Sequence, residues 1–162
     1  ERLDDSLRLV DETVGLIRNV MAELRPPMLD DYGLPPTLRW LGEQFQNRTG
    51  VAVVVSAPNS ENRLPAAAET ALFRIAQEAL NNTGKHAHAT HVDIVLEAVR
   101  SLTRLTIADD GAGFDPAALQ PRSDVHGWGT IHMRERAEAV GGRLRIESSV
   151  GKGTRVVVEV ET

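Results

Sequence analysis

Cysteine is absent from the 162 residues of the chain. This excludes a disulfide framework and thiolate metal sites, and it favours a reducing, cytoplasmic location. Aromatic residues make up only 4% of the chain and the formal net charge is −5, without a basic stripe, so we expect no nucleic-acid partner. No run of apolar residues reaches the roughly 18–20 that a membrane helix needs, and no leader resembles a secretory signal.

Apolar residues are nevertheless sufficient, at 41%, for one globular domain with an appendage. The appendage is predicted at residues 1–25, where apolar residues recur at alternating spacings of four and three. Such a narrow seam packs against other helices, either within an intramolecular hairpin or bundle or in a dimer, and the spacing leaves both open. Pro26 and Pro27 end this helix. The residues of the seam are Leu3, Leu7, Val10, Val14, Ile17, Met21 and Leu24.

The rest of the chain divides into a connector at 26–36, rich in proline, aspartate and glycine, and a domain at 37–162. Periodicity predicts the order helix, strand, helix, two strands, loop, helix and two strands. Hairpins interspersed with helices indicate an α+β fold, a two-layer sandwich with a mostly antiparallel sheet. The predicted segments are a helix from Leu34 to Thr49, a strand at 51–56, a helix at 66–83, a hairpin at 92–107, a mobile loop at 114–128, a helix at 131–140 and a hairpin at 144–160.

Asp109 stands at the end of a predicted strand and opens a glycine turn. A carboxylate held at a strand end is a rigid acceptor for the exocyclic amine of adenine. Gly111 and Gly113 carry no side chain that would block the base, and both permit a positive φ. On its own, the pattern is as typical of a tight hairpin turn as of a nucleotide site.

Two further glycine turns follow. Gly127, Gly129 and Thr130 lie where a helix begins, and backbone N–H groups there can bind phosphate oxygens, although an ordinary flexible loop with a helix cap has the same pattern. Thr154 follows a glycine turn at 151–153 and can share a water with Asp109 if their strands are adjacent.

Polar residues on the helix at 66–83 offer phosphate chemistry. Asn82 is a neutral oxygen ligand suited to Mg²⁺, and Glu78, one turn earlier, can accept a proton from an attacking group. Lys85 and His86 can contact phosphates. For an isolated helix a solvated polar face explains these residues equally well, but the order of four motifs favours an ATP-binding catalytic module.

In combination these motifs resemble the ATP-binding catalytic domain of two-component sensor histidine kinases, which shares the GHKL or Bergerat fold with gyrase, mismatch-repair ATPases and a heat-shock chaperone. Within that family the connector is similar to that of nitrate- and desiccation-type sensors. The resemblance rests on residues 73–87 (the asparagine box), 109–113 and 127–137 (two glycine boxes), 151–154 (a closing turn), and 24–34 and 48–50 (the subfamily signature).

The resemblance implies that the chain is a histidine kinase core that uses ATP and Mg²⁺. Asp109 would bind adenine, Asn82 would bind Mg²⁺, and Glu78 would be the base acting on a phosphoacceptor histidine. That histidine belongs to the first helix of a dimerisation hairpin, and residues 1–25 would be the second helix. Further implied partners are a response regulator receiver domain and a second kinase subunit. The alternatives are an ATP-hydrolysing conformational switch and a nucleotide-binding module without turnover.

Three positions depart from the family pattern. Thr130 replaces an aliphatic residue in the second glycine box, and Thr83 with Gly84 replaces a more apolar pair. These departures bear on the affinity for ATP more than on the fold.

Overall fold

A computed structural model of the chain describes residues 26–58, 63–99, 101–115 and 128–161. The predicted seam helix at 1–25, most of the predicted loop at 114–128 and the candidate phosphate ligand Gly127 lie outside the described residues.

The described helices and strands follow one another in the predicted order, and one short additional helix precedes them. The helices are α1 (Pro27–Tyr32), α2 (Leu34–Thr49), α3 (Ala66–Asn82) and α4 (Trp128–Glu138), and the strands are β1 (Ala52–Ser56), β2 (His91–Val99), β3 (Leu102–Asp109), β4 (Arg143–Ser148) and β5 (Thr154–Glu161).

The expected connector is itself helical in its first part. Pro27 occupies the start of α1, where a proline is tolerated because its missing N–H has no partner within the helix. Gly33, with φ of 79°, joins α1 to α2, and the side chain of Leu29 is fully buried. This segment is therefore packed onto the domain that follows it.

The strands form one sheet in the order β1-β2-β3-β5-β4. The pairs β2–β3, β3–β5 and β4–β5 are antiparallel, which confirms the predicted hairpins. β1 and β2 are parallel, a pairing that the sequence analysis did not foresee. Because α3 lies between them in the chain, these three elements make a single crossover unit at one edge of the sheet.

One face of the sheet packs against α2, α3 and α4 in a common hydrophobic core, so the predicted two-layer α+β sandwich is confirmed. The other face carries cross-strand ion pairs, in which Arg104 bridges Glu97 and Glu159 on neighbouring strands. In the described part of the chain no helix is both long and apolar enough to cross a membrane. The buried strand residues of the common hydrophobic core are Val92, Ile94, Leu96, Leu105, Ile107, Val156, Val158 and Val160.

The C-terminal end of α3 differs from the prediction. The sequence predicts a helix that ends at residue 83, but the backbone continues through Thr83–Ala87 as a π-helix. At Gly84 an added Cβ would lie 3.1 Å from the ring of Phe45, so the glycine permits this segment to approach α2 closely. His88 ends the π-helix in a left-handed conformation with φ of 49°.

Candidate active site

A cavity of about 320 Å³ lies between the helical layer and the sheet. Its walls come from three separate stretches of the chain: α3 with its π-helical extension, the end of β3 with the following turn, and α4 with the β4–β5 hairpin. The lining residues are Ala79, Asn82, Thr83, His86, Ala87, Ile107, Asp109, Gly113, Phe114, Thr130, Met133, Ile146, Thr154 and Val156.

The orientation of the Asp109 carboxylate is fixed by backbone donors from two turns. Its Oδ1 accepts hydrogen bonds from the N–H of Gly111 at 2.9 Å and from the N–H of Thr154 at 3.2 Å. Its Oδ2 lies 3.2 Å from the hydroxyl of Thr83. The second oxygen is therefore the one available to a molecule in the cavity.

Thr154 lies directly opposite Asp109 in the β3–β5 pairing, so their strands are adjacent, as a shared water requires. Its hydroxyl is 3.1 Å from that of Ser148, and Ser148 also donates to the carbonyl of Gly153. The N–H of Phe114 donates to the same Ser148 oxygen at 2.9 Å. The serine thus holds Phe114, a wall of the cavity, against the β4–β5 hairpin.

Gly111 and Gly113 allow the turn after β3 to pack closely against neighbouring backbone. A Cβ on Gly111 would lie 2.6 Å from the Cβ of Ala87 and closer still to its carbonyl oxygen. At Gly113, with φ of 57°, a Cβ would lie 2.7 Å from the carbonyl oxygen of Gly153. The bond from Gly151 N–H to the Ala112 carbonyl, at 2.6 Å, joins the same turns. These contacts explain why side chains are missing at the rim, independently of any bound base.

Glu78 and Asn82 lie one helical turn apart on α3 and face the first turn of α4. Both are partly exposed. A Cβ placed on Gly129 would collide with Oε1 of Glu78 and would lie 3.3 Å from Nδ2 of Asn82. Gly129 therefore leaves room for these two polar side chains beside the helix start.

Two arginine residues, Arg74 on α3 and Arg136 on α4, lie at the contact between these helices. Arg74 lies one turn before Glu78 on α3, and its Nη1 donates to Oε1 of Gln77 at 2.6 Å. Burial lowers the pKa of Arg74, and the nearby charge of Arg136 on α4 lowers it further. The α3–α4 contact thus carries two guanidinium groups, and that of Arg74 belongs to the turn before Glu78.

Of the candidate residues, six line the cavity: Asn82, His86, Asp109, Gly113, Thr130 and Thr154. Gly111 contacts Asp109 through its N–H, and Gly129 contacts Glu78 and Asn82, so both belong to the framework around the cavity. Lys85 is exposed on the π-helix.

Several cavity residues were not singled out by the sequence analysis. Ile107 and Val156 were identified as strand residues, and only the sheet register shows that they face the cavity. Phe114 follows the glycine turn directly, and Met133 lies on α4 and is almost fully buried. The alternation of apolar residues along β3 and β5 could have indicated Ile107 and Val156. No local pattern indicated Ser148, the hydrogen-bond partner of Phe114.

The cavity fits a nucleotide in size and in the distribution of its chemistry. Its volume falls at the lower end of the range typical of small-molecule sites. Apolar side chains form most of the wall, while the fixed carboxylate of Asp109 and the Asn82 amide lie at separate polar positions. An amide oxygen suits Mg²⁺, which keeps several of its waters and takes few protein ligands when phosphates are bound.

Residues 67–162 match the family model described as histidine kinase-, DNA gyrase B- and HSP90-like ATPase. This chain belongs to that family. It is 33% identical over 160 residues to the signal transduction histidine-protein kinase/phosphatase DegS of Brevibacillus brevis, covering 99% of this chain and 40% of that protein. The chain thus spans about two fifths of the length of that curated relative.

Solved histidine kinase structures share the fold. The histidine kinase domain of the blue-light activated histidine kinase EL346 from Erythrobacter litoralis superposes with a TM-score of 0.63 over 77% of this chain and 60% of that one, at 20% identity. Full-length ShkA, solved in complex with AMPPNP, gives a TM-score of 0.63 over 78% of this chain and 29% of that one, at 22% identity.

Proposed function

We propose that this chain is the ATP-binding kinase core of a sensor histidine kinase. The observation that carries the proposal is the Asp109 carboxylate, which two backbone N–H groups fix at a cavity whose other polar positions include Asn82. Membership of the ATPase family and the likeness to histidine kinases support it. We place the reaction in the cytoplasm, where ATP is the phosphoryl donor.

The cavity supplies groups for each part of ATP. Oδ2 of Asp109 accepts a hydrogen bond from the adenine amine, and the apolar wall contacts the base. Thr154 shares a water with Asp109. Asn82, His86 and Thr130 of the cavity lining contact the phosphates, together with Lys85 from the exposed side of the π-helix. Backbone N–H groups at the start of α4 add to phosphate binding. Asn82 would hold Mg²⁺, and the ion would supply positive charge next to the phosphate oxygens.

In the transfer step a histidine nitrogen attacks the γ-phosphorus in line. A nitrogen–phosphorus bond forms, the bond from the γ-phosphorus to the bridging oxygen breaks, and ADP leaves. Glu78 accepts the proton from the imidazole. The acceptor histidine lies on a helix outside these residues. Residues 1–25 pair with that helix in a dimeric kinase, and the phosphoryl group passes on to a response regulator receiver domain.

Calorimetric titration of Mg²⁺-ATP tests the nucleotide site. The chain should bind one ATP, and Asp109→Asn should weaken binding about tenfold to a hundredfold, because the substitution removes a hydrogen bond to a charged acceptor. Asp93→Asn is a matched control, since this exposed carboxylate on β2 contacts the ring of His91 instead. If the parent chain does not bind ATP, or if both substitutions weaken binding equally, the assignment of Asp109 is wrong.

Phosphorylation of a supplied acceptor hairpin tests the reaction. Glu78→Gln should leave the Kd for ATP within about threefold and reduce phosphorylation by roughly 10²–10⁴-fold, the usual contribution of a positioned base. Glu43→Gln, an exposed carboxylate on α2, is the control. ATP hydrolysis that is independent of the acceptor would favour a conformational switch, and binding without any turnover would favour a nucleotide-binding module.

A further inference from the structure

Thr83 is the first residue of the π-helix and directly follows Asn82. It is one of the departures from the family pattern, a hydroxyl where a more apolar residue is usual. Its side chain is only 5% exposed, and it lines the cavity. A hydroxyl buried at this position therefore faces the cavity and not the solvent.

The hydroxyl of Thr83 lies beside the oxygen of Asp109 that faces the cavity. Its Oγ1 is 3.2 Å from Asp109 Oδ2 and 3.1 Å from the backbone carbonyl of Ala79. A hydroxyl has one proton and two lone pairs, so it donates to one of these acceptors at a time. In both arrangements the lone pairs of Oγ1 remain available next to Oδ2.

We propose that Thr83 is a specificity-determining residue that makes the cavity selective for a purine with a 6-amino group. The inference rests on the proposed function, because it concerns how the same pocket recognises its base. An amine carries two N–H groups, and here it meets two adjacent acceptors, Oδ2 of Asp109 and Oγ1 of Thr83. A 6-keto group brings only lone pairs, so it cannot bond to Oδ2, and it can bond to Thr83 only if the hydroxyl turns its single proton away from Asp109 and Ala79.

A second consequence concerns the carboxylate itself. Oδ1 of Asp109 is held by two backbone N–H groups, which fix that oxygen but leave the plane of the carboxylate free to tilt about it. When the Thr83 hydroxyl donates to Oδ2, it also fixes the second oxygen of the carboxylate. Thr83 is thus also a positioning residue, which orients the acceptor before the nucleotide arrives.

The test measures Kd for Mg²⁺-ATP, for Mg²⁺-GTP and for the triphosphate of purine riboside, which lacks the 6-amino group. Thr83→Val removes the hydroxyl at nearly constant shape and should weaken ATP binding about fivefold to tenfold, the usual effect of one hydrogen bond. Binding of the 6-unsubstituted analogue should stay within about twofold, and discrimination against GTP should fall. Thr83→Ser keeps the hydroxyl and should restore the parent values. Thr83→Ala replaces the valine variant if the latter fails to fold.

Equal weakening of ATP and the analogue by Thr83→Val would assign Thr83 a packing role only and overturn the proposal, as would unchanged binding of all three nucleotides. In an Asp109→Asn background the valine substitution should add less than about twofold, because the shared interaction is already lost. Full additivity there would also contradict it. A parent chain that binds neither ATP nor the analogue would overturn the proposed function itself, and Thr83's role with it.

Discussion

Asp109 and Asp110 are adjacent carboxylates with different partners. Asp109 faces the cavity, whereas Asp110 accepts hydrogen bonds from the N–H of Thr90 at 2.8 Å, the N–H of His91 at 2.9 Å and the hydroxyl of Thr90 at 2.6 Å. Asp110 thereby ties the turn after β3 to the start of β2. One residue of this turn is available to a ligand because its neighbour holds the backbone in place.

These bonds make Asp110 a source of pH-dependent stability. The hydrogen bond from the Thr90 hydroxyl, followed by those from the two backbone N–H groups, lowers the pKa of Asp110 from 3.8 to about 2. Because the folded-state pKa is depressed, the stabilisation is fully present above the unfolded value and is lost as the pH falls from about 4 to about 2. The difference in unfolding free energy between the parent and Asp110→Asn, measured in urea, should shrink across this range. A difference that stays constant from pH 6 to pH 2.5 would contradict the assignment.

Gly151 and Gly153 are both needed for their backbone conformation, but only Gly153 is also needed for lack of space. Both have positive φ, 77° and 71°. A Cβ on Gly151 would meet nothing within 4 Å, whereas one on Gly153 would collide with the backbone of Asp109, including its carbonyl carbon at 2.9 Å. Gly151→Ala should cost about 1–2 kcal/mol for the left-handed conformation alone.

Gly153→Ala carries that same conformational cost and must also displace the strand that ends in Asp109. We expect it to be less stable than Gly151→Ala by a further 1–3 kcal/mol or so, the usual cost of overpacking, and to weaken ATP binding. Urea unfolding of the two variants with calorimetry checks this. Equal costs for the two alanines would show that the turn yields without strain.

At the scale of elements, periodicity predicted α2, α3 and the two hairpins, because each has one apolar face in contact with the core. It did not predict α1, because two prolines and a glycine within 26–33 locally favour a connector. The burial of Leu29 stabilises that short helix through a contact distant in the sequence. The π-helix was missed for a related reason: Gly84 disfavours a helix locally, and its packing against Phe45 outweighs that preference.

The end of α1 is fastened to α3 by an ion pair. Arg63 makes two hydrogen bonds to Glu69, at 3.2 and 2.8 Å, and donates to the carbonyls of Asp30, at 2.9 Å, and Leu29. The Glu69 carboxylate is only 2% exposed. Arg63 thereby adds a side-chain donor to two carbonyl groups of α1, those of Leu29 and Asp30.

Removing this carboxylate should therefore loosen α1. We expect Glu69→Ala to lower the free energy of unfolding by about 1–3 kcal/mol, since a buried hydrogen-bonded charge is lost, and to speed hydrogen exchange at Gly33, whose N–H donates to the Leu29 carbonyl. Glu97→Ala, which removes an exposed partner of Arg104 on the sheet, should cost less than about 1 kcal/mol. Similar costs for the two substitutions would mean that the Arg63–Glu69 ion pair stabilises the fold no more than an exposed surface pair does.

At the scale of the whole molecule, the site depends on contacts between segments far apart in the chain. The sequence indicated the nucleotide chemistry of Asn82, Asp109 and Thr154, and the family resemblance placed them in one pocket. It could not show that Thr83 bonds to Asp109 or that Ser148 fixes Phe114. Those contacts follow from the register of β3 with β5 and from the extra length of the π-helix, which no local pattern determines.

A ligand in such a composite cavity should stabilise all its walls together. At 100 times its Kd, Mg²⁺-ATP should raise the free energy of unfolding by about 2.7 kcal/mol, because it binds only the folded chain. With its tenfold to hundredfold weaker binding, Asp109→Asn at the same nucleotide concentration should lose roughly 1.3–2.3 kcal/mol of that gain. Hydrogen exchange should slow both at the π-helix, Thr83–Ala87, and at the β4–β5 turn around Gly153, which are joined through Asp109 and its glycine turn. Protection confined to one of these segments would show that the nucleotide contacts only one wall, and that the cavity does not act as a single site.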